Sequence, residues 1–172
     1  PDDRSEGYTR GTSVSKEWDT ATTSAAIEVA TKVFDDLNRL SGSRPGKGDR
    51  SKKLRLFCER FVERALRHRL TDEHKQLYID SQFQKTEDEE TAVRRVVMLA
   101  LKSPRFLYRE IGGQNDTFNF ASRLSFGLWD CPPDSQLWNG ANGNSLDNRI
   151  KVSRHAARMV NDPRTKMKLR EF

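Results

Sequence analysis

Val93–Trp138 reads VRRVVMLALKSPRFLYREIGGQNDTFNFASRLSFGLWDCPPDSQLW, and this stretch decides the fold class. Four of the nine Phe and two of the three Trp residues lie in it, so much of the buriable apolar area is here. Ala92, Val93, Val96, Val97, Ala100 and Leu101 recur at three- and four-residue steps, which predicts a helix over 87–102 with one buried side. Ser103-Pro104 ends it, because proline lacks the amide donor and clashes with the preceding turn. Pro104 is suited to open a short helix through Glu110, with Gly112-Gly113 as its stop. Asp116 or Thr117 then caps a helix over 118–129, in which Phe120, Leu124 and Leu128 share a face. Cys131-Pro132-Pro133-Asp134 is a turn, and Asp134 caps a short piece through Ala141.

Working towards the N-terminus, Thr86-Glu87-Asp88-Glu89 reads as a capping box for the helix over 87–102. Thr71 caps another helix, with Leu77 and Tyr78 as its inward residues and Asp72 and Glu73 suiting the helix dipole. Before it, a helix over 50–69 carries the stripe Leu54, Phe57, Cys58, Phe61, Val62, Ala65 and Leu66. A helix from Thr22 to about Leu40 precedes that, with Gly42 as its stop and SGSRPGKG (41–48) as a connector. Residues 1–19 are polar and aperiodic, an arm. Towards the C-terminus, Ser145 starts a helix through Val160 with Ile150, Ala157 and Val160 inward. Asn161-Asp162-Pro163 opens a last helix. No segment alternates with period two, so no strand is expected. The class is all-α, with seven to eight helices in an irregular bundle. Its expected organisation is an arm, one helix and a linker over 1–48, a first helical module over 49–112 and a second over 113–172. With Pro1 at one end and a helical pattern at 166–172, the chain reads as an internal piece of a longer protein.

Composition narrows the functional classes. Charged residues make up 33% and hydrophobic ones 34% of the 172 residues, with a mean hydropathy of −0.85. No apolar run approaches the roughly 18–20 residues a membrane helix needs. The net charge of +6 is distributed as −1 over 1–48, +4 over 49–112 and +3 over 113–172. That spread permits contact with anionic partners without marking a nucleic-acid footprint. The basic face of helix 50–69 is the place for such contact. Glu59 and Glu63 at helical spacing from Arg55 and Arg67 favour a solvated, self-paired face instead. Cys58 and Cys131 form no CxxC or CxxCH, and Cys58 between Phe57 and Phe61 reads as a buried thiol.

His68, His74 and His155 make no metal-ligand spacing on one helical turn. No phosphate loop, nucleophile elbow or Ser/His/Asp set assembles, and catalytic residues are left unassigned. The acidic run 87–90 is explained by the helix dipole. Two polar residues invite a role, Arg123 and Asp130. Arg123 on a largely apolar helix is expected to pair with a carboxylate or helix-end carbonyls, with a ligand contact as the alternative, since an unpaired buried Arg is costly. Trp129 and Trp138 bracket the proline turn and are expected to pack on it.

Four motifs then resemble a known family. These are Phe57–Glu73 (FCERFVERALRHRLTDE), Ser103–Arg109 (SPRFLYR), Ala121–Asp134 (ASRLSFGLWDCPPD) and Arg158–Arg164 (RMVNDPR), in this order. Together they resemble the adjoining domains of unknown function 1595 and 1592 of large secreted proteins from planctomycete-type bacteria. The chain departs from the pattern at His68-Arg69, Gly127 and Cys131-Pro132. The resemblance implies an extracytoplasmic setting, periplasmic or at the cell surface. It implies partners among other domains of the same parent chain, cytochrome c modules or cell-surface polysaccharide. It transfers no catalytic residue. With CxxCH missing, no cofactor is assigned to this chain, and any c-type haem would sit elsewhere in the parent. The leading expectation is a non-catalytic helical scaffold. The alternatives are part of a haem-dependent oxidoreductase, or nucleic-acid binding through helix 50–69.

Overall fold

The computed structural model describes residues 3–5, 8–10, 15–108, 116–143 and 146–170. The fold is all-α, as the periodicities predict. The one departure corrects the strand-free expectation: β1 (Asp3–Ser5) pairs antiparallel with β2 (Tyr8–Arg10), Arg4 opposite Thr9. Three residues a side are too few to show an alternating pattern.

α1 (Lys16–Asp35) begins six residues before Thr22. The Ser15 hydroxyl accepts from the Trp18 amide, and Glu17 and Asp19 lie at the positive end of the dipole. α2 (Leu37–Ser41) stops at Gly42, whose φ of +65° is the left-handed turn the glycine was expected to make. α3 (Arg50–Leu66) buries Leu54, Phe57, Cys58, Val62, Ala65 and Leu66, the stripe read from its spacing.

α4 (Asp72–Lys75), a π turn (Gln76–Asp80) and α5 (Ser81–Gln84) run on as one helix, capped by Thr71 as expected. A π turn holds an extra residue and so rotates the apolar stripe out of register. Leu77, expected inward, is consequently 57% exposed, and Ile79 joins Tyr78 in the core. α6 (Glu89–Lys102) buries Ala92, Val93, Val96, Val97 and Ala100. Its cap is Asp88 rather than Thr86. The Asp88 carboxylate accepts from the Glu90 and Thr91 amides, each at 3.2 Å, while the Thr86 hydroxyl accepts from the Asp88 amide. A carboxylate is the stronger acceptor, and the helix starts behind it. α7 (Pro104–Leu107) follows the Ser103-Pro104 break, with Ser103 as its cap.

These elements share a first core. Ala30 of α1 and Leu37 of α2 meet the stripes of α3 and α6, together with Tyr78 and Ile79. It is aliphatic at its centre: Leu54, Val62, Val96 and Val97 are fully buried.

α8 (Thr117–Trp129) is capped by Asp116, whose Oδ1 accepts from the Asn119 amide at 2.8 Å. Its buried face is Phe118, Ala121, Ser122, Ser125 and Trp129; of the expected face, Leu124 and Leu128 pack half-buried on the second core, whereas Phe120 is 41% exposed. Three small residues on that face let α8 lie close to α9 (Ser135–Asn142), which Asp134 caps as read from the turn. α10 (Arg149–Val160) is capped by Asn148 and α11 (Pro163–Arg170) opens at the proline. The expected stop at Gly112-Gly113 and start at Ser145 lie outside the described residues. A second core gathers Phe118, Ala121, Trp129, Leu137, Trp138, Ala141, Leu146 and Met159.

α10 is turned over relative to its sequence reading. Met159 is fully buried and Val152 packs beside it, whereas Ile150 is 74% exposed, Val160 51%, and Ala157 also faces out. The Trp129 indole N–H donates to the Met159 carbonyl at 3.1 Å, and Arg158 lies over the same ring. Those two contacts set the rotation of α10, overriding the larger aliphatic side chains.

Candidate functional site

The two cores meet at the C-terminal end of α3. Helix ends leave carbonyls without intrahelical partners, and α3 closes its own with a left-handed residue. That residue is Arg67 at φ +57°, whose amide donates to the Arg64 carbonyl while the His68 amide donates to the Glu63 carbonyl. A non-glycine residue there costs roughly 1–2 kcal/mol. The turn offsets this by aiming a guanidinium inward. Arg67 is only 7% exposed, and it donates to the carbonyls of Phe106 and Tyr108, each at 3.1 Å, and of Arg105. These are the last carbonyls of α7 and its cap. Its guanidinium also stands 5.6 Å from the Phe126 ring of α8, so one side chain spans α3, α7 and α8.

The neighbouring residues extend the joint. His68 Nε2 lies 2.7 Å from Asp116 Oδ2, its ring centroid is 5.0 Å from that of Phe118, and its Nδ1 is 3.0 Å from the Arg69 carbonyl. Arg69 donates to Asn142 Oδ1 at 2.7 Å and also reaches Glu63. Arg64 stacks over Trp138 at 4.5 Å, and burial lowers its pKa. His74, one helix start further on, is partly buried, with Nδ1 lacking an acceptor or donor among the described residues. Burial, then the charges of Arg105 and His68, push its pKa down.

Most of the other cations of α3 are also committed, Lys52 and Arg60 being exposed without an ion pair among the described residues. Arg50 pairs with Glu90, Arg55 with Asp80 at 2.7 Å, Lys53 with Asp49, and Glu59 holds Lys75. Sequence spacing suggested pairs within the helix; the observed partners lie mostly on other segments. Beside Arg64 on Trp138, Lys52 and Arg60, eight positions apart, are the cations of α3 left outside these pairs.

A second constellation surrounds Trp129. Arg164 lies 3.4 Å from the ring centroid and Arg158 5.2 Å from it. Each Arg has its own carboxylate: Arg158 donates to Asp134 at 2.7 and 3.3 Å, and Arg164 grips Asp162 at 2.9 and 2.8 Å. Burial works to raise the Asp134 pKa. Arg158 and the Leu137 amide overcome it, leaving the carboxyl below its usual range. Arg164 brings Asp162 down to about 2. Lys168 completes the attachment of α11 by donating to the Phe126 carbonyl at 2.5 Å.

Residues 116–172 match a family model described as PSD4, a protein of unknown function (DUF1592). The matched segment thus begins at the residue that pairs with His68, and it takes in the Trp129 constellation and all of the second core. Searches of curated proteins and of solved structures found no match.

The two residues singled out from sequence both lie on or at the end of α8. Arg123 is exposed in mid-α8, while Asp130 is the left-handed cap at φ +56°, two turns further on, with Lys168 at 3.8 Å. Cys58 is buried, and burial raises its thiol to about 12, an inert group. Among the described residues, no group of three His, Cys, Asp or Glu is placed to hold a metal ion. No described helix is long and apolar enough to cross a membrane.

Arg67, Arg158 and Arg164 were missed as a set. The available signal for the last two was the RMVNDPR run, which puts two Arg six apart on either side of a helix break with a Trp to share. Arg67 carried no signal, because a helix-terminal Arg reads the same whether it turns in or out.

Proposed function

We propose that this chain is a non-catalytic helical scaffold or interaction region of a larger secreted bacterial protein that works with cytochrome c modules. The observation that carries the reading is the use made of its densest polar groups. Arg67 is spent on backbone carbonyls, His68 on a helix cap, and Arg158 and Arg164 on an indole and two carboxylates. Charged groups used this way fix geometry. A catalytic group must instead face a reacting atom. The DUF1592 match supports the family part of the reading. The tandem with domain 1595, the extracytoplasmic address, and partners such as cytochrome c modules or cell-surface polysaccharide extend the motif resemblance. Any haem belongs to another part of the parent.

The test is absorption spectroscopy and a redox titration of the purified chain. A spectrum of aromatic bands only, with no redox couple, is the expected result. A bound redox-active cofactor would overturn the scaffold reading.

A further inference from the structure

α10 packs one face on the second core and leaves another exposed, with the large apolar residues Ile150 and Val160 at its two ends. Val152 and Met159 face the second core. On the opposite side, Ile150, Ser153, Ala157 and Val160 are all exposed, at intervals of three, four and three residues. That is the a/d spacing of a helix seam, and small residues in its middle allow a second helix to approach closely. In this register Arg149 and Arg154 occupy the flanking g and e positions, where partner helices place complementary charge. Both are exposed, and neither has an ion pair or side-chain hydrogen bond among the described residues. The other cations of α10 do: Lys151 pairs with Asp147 at 3.0 Å and Arg158 with Asp134. Lys166 and Arg170 of α11 are exposed and unpaired in the same sense. Residues 149–170 carry eight basic residues against one acidic, Asp162.

We propose that the outward face of α10 docks an amphipathic helix whose apolar seam is flanked by Asp and Glu. Charge decides the partner. A second copy of this chain would set Arg149 and Arg154 against their own equivalents, and like charges flanking a seam repel. A membrane would need bulky anchors, but this face offers no aromatic residue. The seam is short, about 15 Å at 1.5 Å per residue, so the complex is salt-sensitive and weak enough to be exchangeable. This deepens the scaffold reading by assigning it a partner class. A redox cofactor found in the chain would remove that reading and leave the docking result standing.

The experiment is fluorescence anisotropy of the whole chain with two synthetic helical peptides, identical except for Glu or Lys at every e and g position. The Glu peptide should bind at least tenfold more tightly than the Lys peptide, with the advantage shrinking as salt rises. The double variant Arg149→Glu/Arg154→Glu should reverse the order. Ile150→Asp/Val160→Asp should abolish binding, with unchanged helical circular dichroism showing that these exposed positions leave the fold intact. Equal affinity for the two peptides would overturn the proposal. So would binding to phosphatidylserine vesicles with none to the Glu peptide, or a dimer in sedimentation at the concentrations used.

Discussion

The two cores are built from different materials. The first interleaves aliphatic stripes from α3 and α6, and its centre is Leu54, Val62, Val96 and Val97. The second is centred on Trp129 and Trp138, with guanidinium groups laid on both indoles and ion pairs around its rim. Aliphatic burial is non-directional and proportional to area. Cation–aromatic stacking and bidentate ion pairs are directional. The first core therefore sets how strongly its helices hold, while the second sets how α10 and α11 are rotated. The difference yields tests of decreasing size.

Leu54→Ala removes a fully buried side chain and should cost about 2–5 kcal/mol. Hydrogen exchange resolved by element would locate that loss in α3 and α6. Equal loss in α8 and α9 would show the two cores to be one cooperative unit.

Arg67→Ala strips the donors from several carbonyls and should cost about 2–3 kcal/mol in urea unfolding. Arg67→Gly, which relaxes the left-handed turn, should recover about 1 kcal/mol of that loss. Glycine no better than alanine would mean the turn carries no strain.

Trp129→Phe keeps a ring but loses the N–H donated to Met159, and should cost about 1–2 kcal/mol. Near-ultraviolet dichroism of the second core should collapse further than the stability does, because the contact that orients α10 is gone.

Acid should also separate the cores. Asp134 and Asp162 have folded pKa values below their unfolded ones. Their contribution is present above the unfolded value of about 4 and is lost as pH falls through the folded values. Below about pH 4 the exchange protection of α10 and α11 should fall before that of α3 and α6, and Asp134→Asn should flatten the pH dependence.

The smallest effect is a gain. A Cβ at Gly127 would meet nothing within 4 Å, so Gly127→Ala should stabilise α8 by about 0.5–1 kcal/mol in thermal unfolding.

The same contrast explains what was legible beforehand. Where a helix has one aliphatic stripe, as in α3 and α6, spacing identified every buried residue that matters. In α8 the apolar residues fall on two faces, and small residues at 121, 122 and 125 chose the buried one. Spacing favours bulk, so it chose Phe120. In α10 the choice was made by Arg158 and Met159 acting on Trp129, three positions brought together only by the fold. The π turn at Gln76–Asp80 shifts register by an amount no local pattern records. Caps and breaks at Thr71, Ser103-Pro104, Asp116 and Asp134 were readable because their chemistry lies within three residues. The joint at Arg67 was not, since its acceptors lie 38 to 41 positions away.

Asp116 gives the molecule an order of manufacture. The residue that caps α8 also receives His68, 48 positions earlier in the chain. At roughly 5–20 residues per second, the end of α3 leaves the ribosome several seconds before α8 exists. The His68 side of this contact is therefore synthesised before its partner, and the first helix of the second core starts at the residue that receives it.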